Sequence, residues 1–375
     1  MEKKKDSIRV VSLSNEKYTI PKPFTSIYNE IIKWGDNNLY PDYLLDCFNN
    51  KSSKHKSIIN RKVLMTTGLG IEENISTEAQ EFIKNPLNDE YTLIEIVNKL
   101  NYDLEIYGGF ACLIYPSLDN ESIAKIEYMD FRKVRKSINS DDEFYISKDW
   151  SNTRKECNRP LLVKSFDPDR FDEDEIQLYY YIESNPGSEY YPIPQYSSSL
   201  SWIEMDYEIS NFHLNSIKNG FMPSFLINFA TGIPTEEEME AIYDDMNKKF
   251  SGSTNAGRLI MTFCEGSDQN PTFQPIETNS SDDKFMMLHD KVSQEILIAH
   301  SITNPILFGI KTEGQLGGRT ELLESLSIFQ SIYIDQKQKI FEKFIEEILR
   351  INNIQDEIKF KRYSIDFSNI EENNK

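Results

Sequence analysis

SSDDKFMMLHDKVSQEILIAHSITNPILFGIKTEGQLGGRTELLESLSIFQSIYIDQKQKIFEKFIEEILRINN, residues 280–353, decides how this chain is built. It reads as a long helix, a glycine-rich loop and a second, longer helix. Ser280 stands three residues before Asp283 in a capping pattern, and two acids suit the helix start. Phe285, Leu288, Val292, Ile296 and Ala299 then recur at spacings of three or four, which sets them on one stripe. Pro305 is expected to end the segment. Gly309, Gly314, Gly317 and Gly318 leave the intervening backbone free to bend. From Thr320, a stripe of Leu322, Leu326, Phe329, Tyr333, Ile340, Phe344 and Ile348 predicts one helix of about 30 residues, roughly 45 Å long. Neither a catalytic nor a metal motif lies inside the stretch.

The module before it is compact. SFLINFA reads as a strand, Thr235 and Glu238 make a capping box for EEEMEAIYDDMNKKF, and RLIMTFC is a second strand-like run. SWIEMDYEISNFHLNSIKN, just upstream, carries Ile203, Tyr207, Leu214 and Ile217 on a helix. A small α/β module is therefore inserted between two long helices, which are expected to run antiparallel and hold it at one end. Earlier still, Pro41 and Asp42 open a helix, KHKSIINRKVLMTTGLG continues into another, and Thr92 with Glu95 caps a third that stops at Gly108 and Gly109. FACLIY and AKIEYMD flank a polar turn as a hairpin, and EFYISK and IQLYYYIES read as further strands. The fold class is α+β, helices first and strands after.

The whole chain has 375 residues, 39% of them hydrophobic, and a formal net charge of −20. That balance opposes wrapping duplex DNA through a basic surface, because such binding depends on neutralising phosphates. It does not oppose a surface past which DNA slides. Cys47, Cys112, Cys157 and Cys264 show no CxxC or CxxH spacing, so neither a disulfide framework nor zinc is expected, and no cofactor motif is present. No apolar run approaches a membrane helix, and MEKKKDS is followed by no apolar leader segment, so no membrane partner is expected.

GQLGGRT lacks the GxxxxGK[ST] pattern of a nucleotide loop. Glu357 and Lys359 have the ExK spacing of many metal-dependent nucleases, although EIKFKRYSIDF also alternates like an ordinary strand. His55, His213, His289 and His300 stand far apart, without ligand spacing.

The ordered set resembles the portal, or head-to-tail connector, proteins of tailed bacteriophages. IKNGFMPSFLINFATGIPTEEEMEAIYDDMNKKFSGSTNAGRLIMTF (217–263) looks like the family's stem-helix end and clip, and EILIAHSITNPILFGI (295–310) like its second stem-helix end. LEIYGGFACLIY (104–115) and MDFRKVR (129–135) are similar to its wing. By position the resemblance implies an α/β wing at 1–196, stem helices at 197–220 and 280–303, and a clip at 221–279. A tunnel loop at 304–320, a long wing-side helix at 321–353 and a C-terminal strand with a short tail at 354–375 would follow, the helical crown being reduced or absent.

The resemblance implies a non-enzymatic dodecameric ring at a capsid vertex of the virion, assembled in the host cytoplasm, through which double-stranded DNA is packaged and ejected. Its implied partners are the terminase large subunit, a head-completion or adaptor protein, the major capsid protein and a scaffold. Lys311, Glu313, Gln315 and Arg319 would face DNA from the tunnel loop, with Lys311 and Arg319 touching phosphates or standing simply as solvated loop charges. Thr235, Glu236, Glu237, Asp244, Lys248 and Lys249 would form the clip surface that docks motor and adaptor. The alternative reading is an intracellular metal-dependent nuclease built on Glu357 and Lys359.

Overall fold

The computed structural model describes residues 24–26, 30–84, 91–118, 121–168, 176–218, 225–229, 235, 237–238, 241, 259–263, 272–275, 281–302, 304–309 and 319–363. In chain order the elements begin with β1 (Phe24–Ser26), β2 (Ile31–Lys33), α1 (Tyr40–Asp46) running into a π turn (Cys47–Lys51), α2 (Ser53–Thr67), α3 (Thr77–Lys84) and α4 (Leu93–Tyr107). Strands β3 (Gly109–Pro116), β4 (Ile123–Met129), β5 (Val134–Lys136), β6 (Glu143–Ile146), β7 (Leu161–Ser165) and β8 (Gln177–Ile182) follow. Then come α5 (Leu200–Lys218), β9 (Phe225–Phe229), β10 (Leu259–Phe263), β11 (Thr272–Pro275) and α6 (Ser281–Ala299). A 3-10 turn (Pro305–Phe308), α7 (Arg319–Phe329), a second π turn (Gln330–Ile334) and α8 (Asp335–Ile351) complete the order.

These elements form two compact units that do not follow the chain contiguously: residues 1–43 with 85–201, and residues 44–84 with 202–375. The first unit is organised on a six-stranded sheet in the order β4-β3-β8-β7-β6-β5. β3 and β4 pair antiparallel as the hairpin that their sequence predicts, and β7 pairs β8 in parallel. GFACLIYP is continuously apolar because β3 lies inside the sheet, and its first six residues are buried. β7, which the sequence reading did not find, has Leu161 and Leu162 exposed and so lacks an alternating signal.

Helix α4 packs on the β3–β4 hairpin with Leu93, Ile96, Val97, Leu100 and Leu104 buried. Its start is the expected capping box, with the Glu95 backbone N–H donating to Thr92 Oγ1 at 3.3 Å and the Thr92 N–H donating to Glu95 Oε2 at 2.8 Å. It stops at Gly108, whose φ of 85° is left-handed. Gly109 follows because a Cβ there would meet the Tyr181 carbonyl oxygen at 2.6 Å and the Phe131 ring at 2.7 Å.

In the second unit, β9 pairs β10 in parallel and β11 antiparallel. The strand–helix–strand module therefore has a third strand that the sequence reading did not find, a short run with Pro275 at its end. α2 packs against α8 around Ile58, Ile59, Val63, Phe341, Phe344 and Ile348, all at most 4% exposed. Gln338 Nε2 donates to the Thr66 carbonyl at 2.9 Å in the same contact.

Two expectations change here. The single helix predicted from Thr320 is α7, a π turn and α8. The wide π turn inserts the extra residue that keeps Leu326, Phe329 and Tyr333 on the buried side together with Phe341, Phe344 and Ile348, while Ile340 is left half-buried. The strand expected in EIKFKRYSIDF is, among the described residues, an extended segment with one isolated bridge, Ile71 to Phe360. The Glu72 N–H donates to the Lys359 carbonyl at 2.8 Å, and the Lys361 N–H to the Gly70 carbonyl at 2.9 Å. The following residues of that run lie outside the described part.

Candidate functional site

Of the residues expected at the glycine-rich loop, Lys311, Glu313 and Gln315 lie outside the described residues, and Arg319 is the first residue of α7. Of the set expected on the small module, Glu236, Asp244, Lys248 and Lys249 also lie outside them. Glu237 is exposed at the start of a helix that Thr235 caps. There Thr235 N–H and Oγ1 both donate to Glu238 Oε2, at 3.0 and 3.1 Å, which holds the Glu238 carboxyl below its usual range.

Glu357 and Lys359 form an ion pair at 2.9 Å, and Lys359 also stands 3.9 Å from Glu342. Glu342 and Glu346 are engaged by backbone: their carboxylates accept from the N–H groups of Phe360 at 3.1 Å and Ile358 at 3.0 Å. These acids fasten the C-terminal segment to α8. Among the described residues no group of three or more His, Cys, Asp or Glu is placed to hold a metal ion. A cavity of about 440 Å³ beside them is lined by acids and cations together, Asp335, Glu342, Lys339, Lys359 and Arg362, and Asp335 is already paired with Arg362 at 2.6 Å.

The connected polar site lies elsewhere in the second unit, at the start of α2. Asp206 of α5 accepts from Ser52 Oγ and from Lys54 Nζ, each at 2.6 Å. Lys54 Nζ also stands 3.3 Å from His289 Nε2 of α6. Lys51 pairs with Glu204 at 3.3 Å and lies 4.4 Å from the centre of the Tyr207 ring, and these partners raise its pKa against the opposing effect of burial. On the next residue of α2, His55 Nδ1 is 2.9 Å from His300 Nε2, and both rings are buried. α2 thus fastens the near ends of both long helices. Sequence reading missed this because its members are up to 245 positions apart and carry no common spacing.

The outer parts of the long helices are solvent-exposed among the described residues. From Phe212 to Asn215 every residue of α5 is exposed, and on α6 Met286 and Met287 are 64% and 73% exposed. Four consecutive residues point in every direction around a helix, so no single contact face exists there. Among the described residues no helix is long and apolar enough to cross a membrane.

No protein-family model matches the chain. A crystal structure does: that of a phage portal protein of the HK97 family from Corynebacterium diphtheriae, with a TM-score of 0.51 at 8% identity, over 84% of this chain and 94% of that one. The fold is that of a phage portal protein. The same portal fold aligns with a chain in the virion of a native gene transfer agent particle, TM-score 0.57 at 13% identity, over 89% of this chain and 87% of that one. It aligns equally with a chain in the neck of that native particle computed with C12 symmetry, TM-score 0.56 at 13% identity and the same coverage.

Two curated sequences are similar. One is a probable portal protein of Escherichia phage P2, 21% identical over 199 residues, covering 51% of this chain and 54% of that protein. The other is an uncharacterized protein of Rickettsia bellii, 23% identical over 158 residues, covering 42% of this chain and 39% of that protein. The chain therefore matches only about half, or less, of the length of these curated relatives.

Proposed function

We propose that the chain is one subunit of a homo-oligomeric portal ring in a virion, a conduit for DNA rather than an enzyme. The observation that carries this reading is the portal fold extending over more than four-fifths of the chain, at 84% and 89% in the two crystal and particle alignments. The exposed apolar side chains toward the ends of α5 and α6 support it. Phe212, Leu214, Met286 and Met287 would be solvated in a monomer, whereas neighbours on more than one side of each helix, as a ring provides, would cover them.

In this reading residues 1–196 are the wing, α5 and α6 the stem, and 221–279 the clip that docks the terminase large subunit and later a tail adaptor. The glycine-rich stretch before α7 faces the channel, with Lys311 and Arg319 making non-specific phosphate contacts. A net charge of −20 per subunit suits a conduit, since DNA that binds its channel tightly cannot slide. Electron microscopy of the purified full chain is expected to show end-on rings with an open axis. A species that stays monomeric at all concentrations, and that is absent from capsids when co-expressed with capsid protein, overturns the reading.

A further inference from the structure

All four histidines of the chain, at 55, 213, 289 and 300, lie on α2, on α5, and on or directly after α6. Two of them meet in the interior, where His55 Nδ1 and His300 Nε2 are 2.9 Å apart and the residues are 0% and 1% exposed. At that distance one nitrogen must carry the proton and the other a lone pair. With both rings charged, two N–H groups would face each other in a buried site. His300 directly follows α6, where the chain reverses through Ser301 at φ 57° and enters the 3-10 turn Pro305–Phe308. The pair therefore sits where α6 ends and the glycine-rich stretch is about to begin.

We propose that the His55–His300 contact is a proton-operated latch: with both imidazoles neutral it holds the end of α6 on α2, and acidification releases that end. The charged surroundings favour the neutral state. Lys62, on α2 itself, is buried with its ammonium 3.9 Å from the centre of the Tyr333 ring, and Lys337 of α8 approaches the same ring at 5.4 Å. Asp206, from α5, is engaged by Ser52 and Lys54, and His289 of α6 lies beside Lys54 rather than beside the pair. The Phe48 ring stands edge-on to His55, with ring centres 6.5 Å apart. Burial first, and Lys62 second, push His55 down to about 3 and hold His300 well below the usual histidine range.

A histidine held neutral in the packed state contributes stability fully at pH above its ordinary value of about 6.5, and loses it as pH falls below that. If both rings reach water on release, the opening constant rises about 100-fold between pH 7.5 and 5.5, and if only one does, about tenfold.

The reporters are the amides of His300, Ser301 and Ile302, which donate to the carbonyls of Ile296 at 3.2 Å, Ile298 at 2.9 Å and Leu297 at 3.0 Å. Hydrogen exchange of the full chain, corrected for the intrinsic pH dependence, is expected to show their protection falling at least tenfold between pH 7.5 and 5.5, while α4 keeps its own. The double variant His55→Gln, His300→Gln, which cannot titrate, is expected to lose that pH dependence. Exchange at the imidazole C2 positions reads the two pKa values in the unmodified chain, so the question remains decidable if the variant does not fold. Protection unchanged with pH, an equal fall across α4, an equal fall in the double variant, or both imidazoles titrating near 6.5 would each overturn the latch. None of these readouts depends on the chain forming a ring.

Discussion

Arg135 is the clearest case of one side chain fixing the surroundings it sits in. It is fully buried, and its pKa is pushed down to about 10 by that burial. Its Nε donates to Asn38 Oδ1 at 2.6 Å, Nη2 to the Asn38 carbonyl at 2.7 Å, and Nη1 to the carbonyls of Arg132 and Val134 at 2.8 and 2.7 Å. Trp34 and Trp150 flank the guanidinium at 5.7 and 5.1 Å from their ring centres, and Trp34 stacks on Tyr191, whose hydroxyl donates to the Ile32 carbonyl. One planar fork thus satisfies several buried acceptors, which no flexible ammonium can do. Arg135→Lys is expected to cost about 3 kcal/mol through acceptors left unpaired, read as an earlier denaturant midpoint. Fluorescence suits the measurement because Trp34 and Trp150 flank the site, and an unchanged midpoint would refute the assignment.

At the scale of elements, the π turn between α7 and α8 sets which residues face the core. Its geometry is held by Asp335, which accepts from Gln330 Nε2 at 2.9 Å across the turn and pairs with Arg362 of the C-terminal segment at 2.6 Å. Arg362 is largely exposed, so the ion pair contributes little and is screened by salt, whereas the Gln330 bond is part-buried. Asp335→Ala is expected to destabilise the second unit by about 1 kcal/mol, with faster hydrogen exchange at Gln330–Ile334 and no change in α4. Retained protection at the turn would show that apolar packing of Phe329 and Tyr333 alone enforces it. The capping box at Thr92 and the left-handed Gly108 are simpler devices, and both were legible in advance because they depend on neighbours within a few residues.

At the scale of the whole molecule, the portal-ring function proposed above predicts assembly of copies of the chain around sliding DNA. Replacing Lys311 and Arg319 together by Ala is expected to leave ring formation intact while lowering packaged DNA or its retention, measured as nuclease-protected DNA per particle. Unchanged packaging removes the role given to these cations. The amino-acid sequence alone determined the local elements of this protein. Apolar runs, capping residues and glycines placed the helices around 200–218 and 281–299, the β3–β4 hairpin and the strands β9 and β10, because each signal is carried by residues close in the chain. Tertiary structure decided what distant residues do together. It grouped residues 44–84 with the second unit, set β7 parallel to β8, turned the long helix through a π turn, and brought His55 onto His300 across 245 positions. Such pairings leave no period in the sequence, since they are selected by which surfaces exclude water together rather than by spacing along the chain.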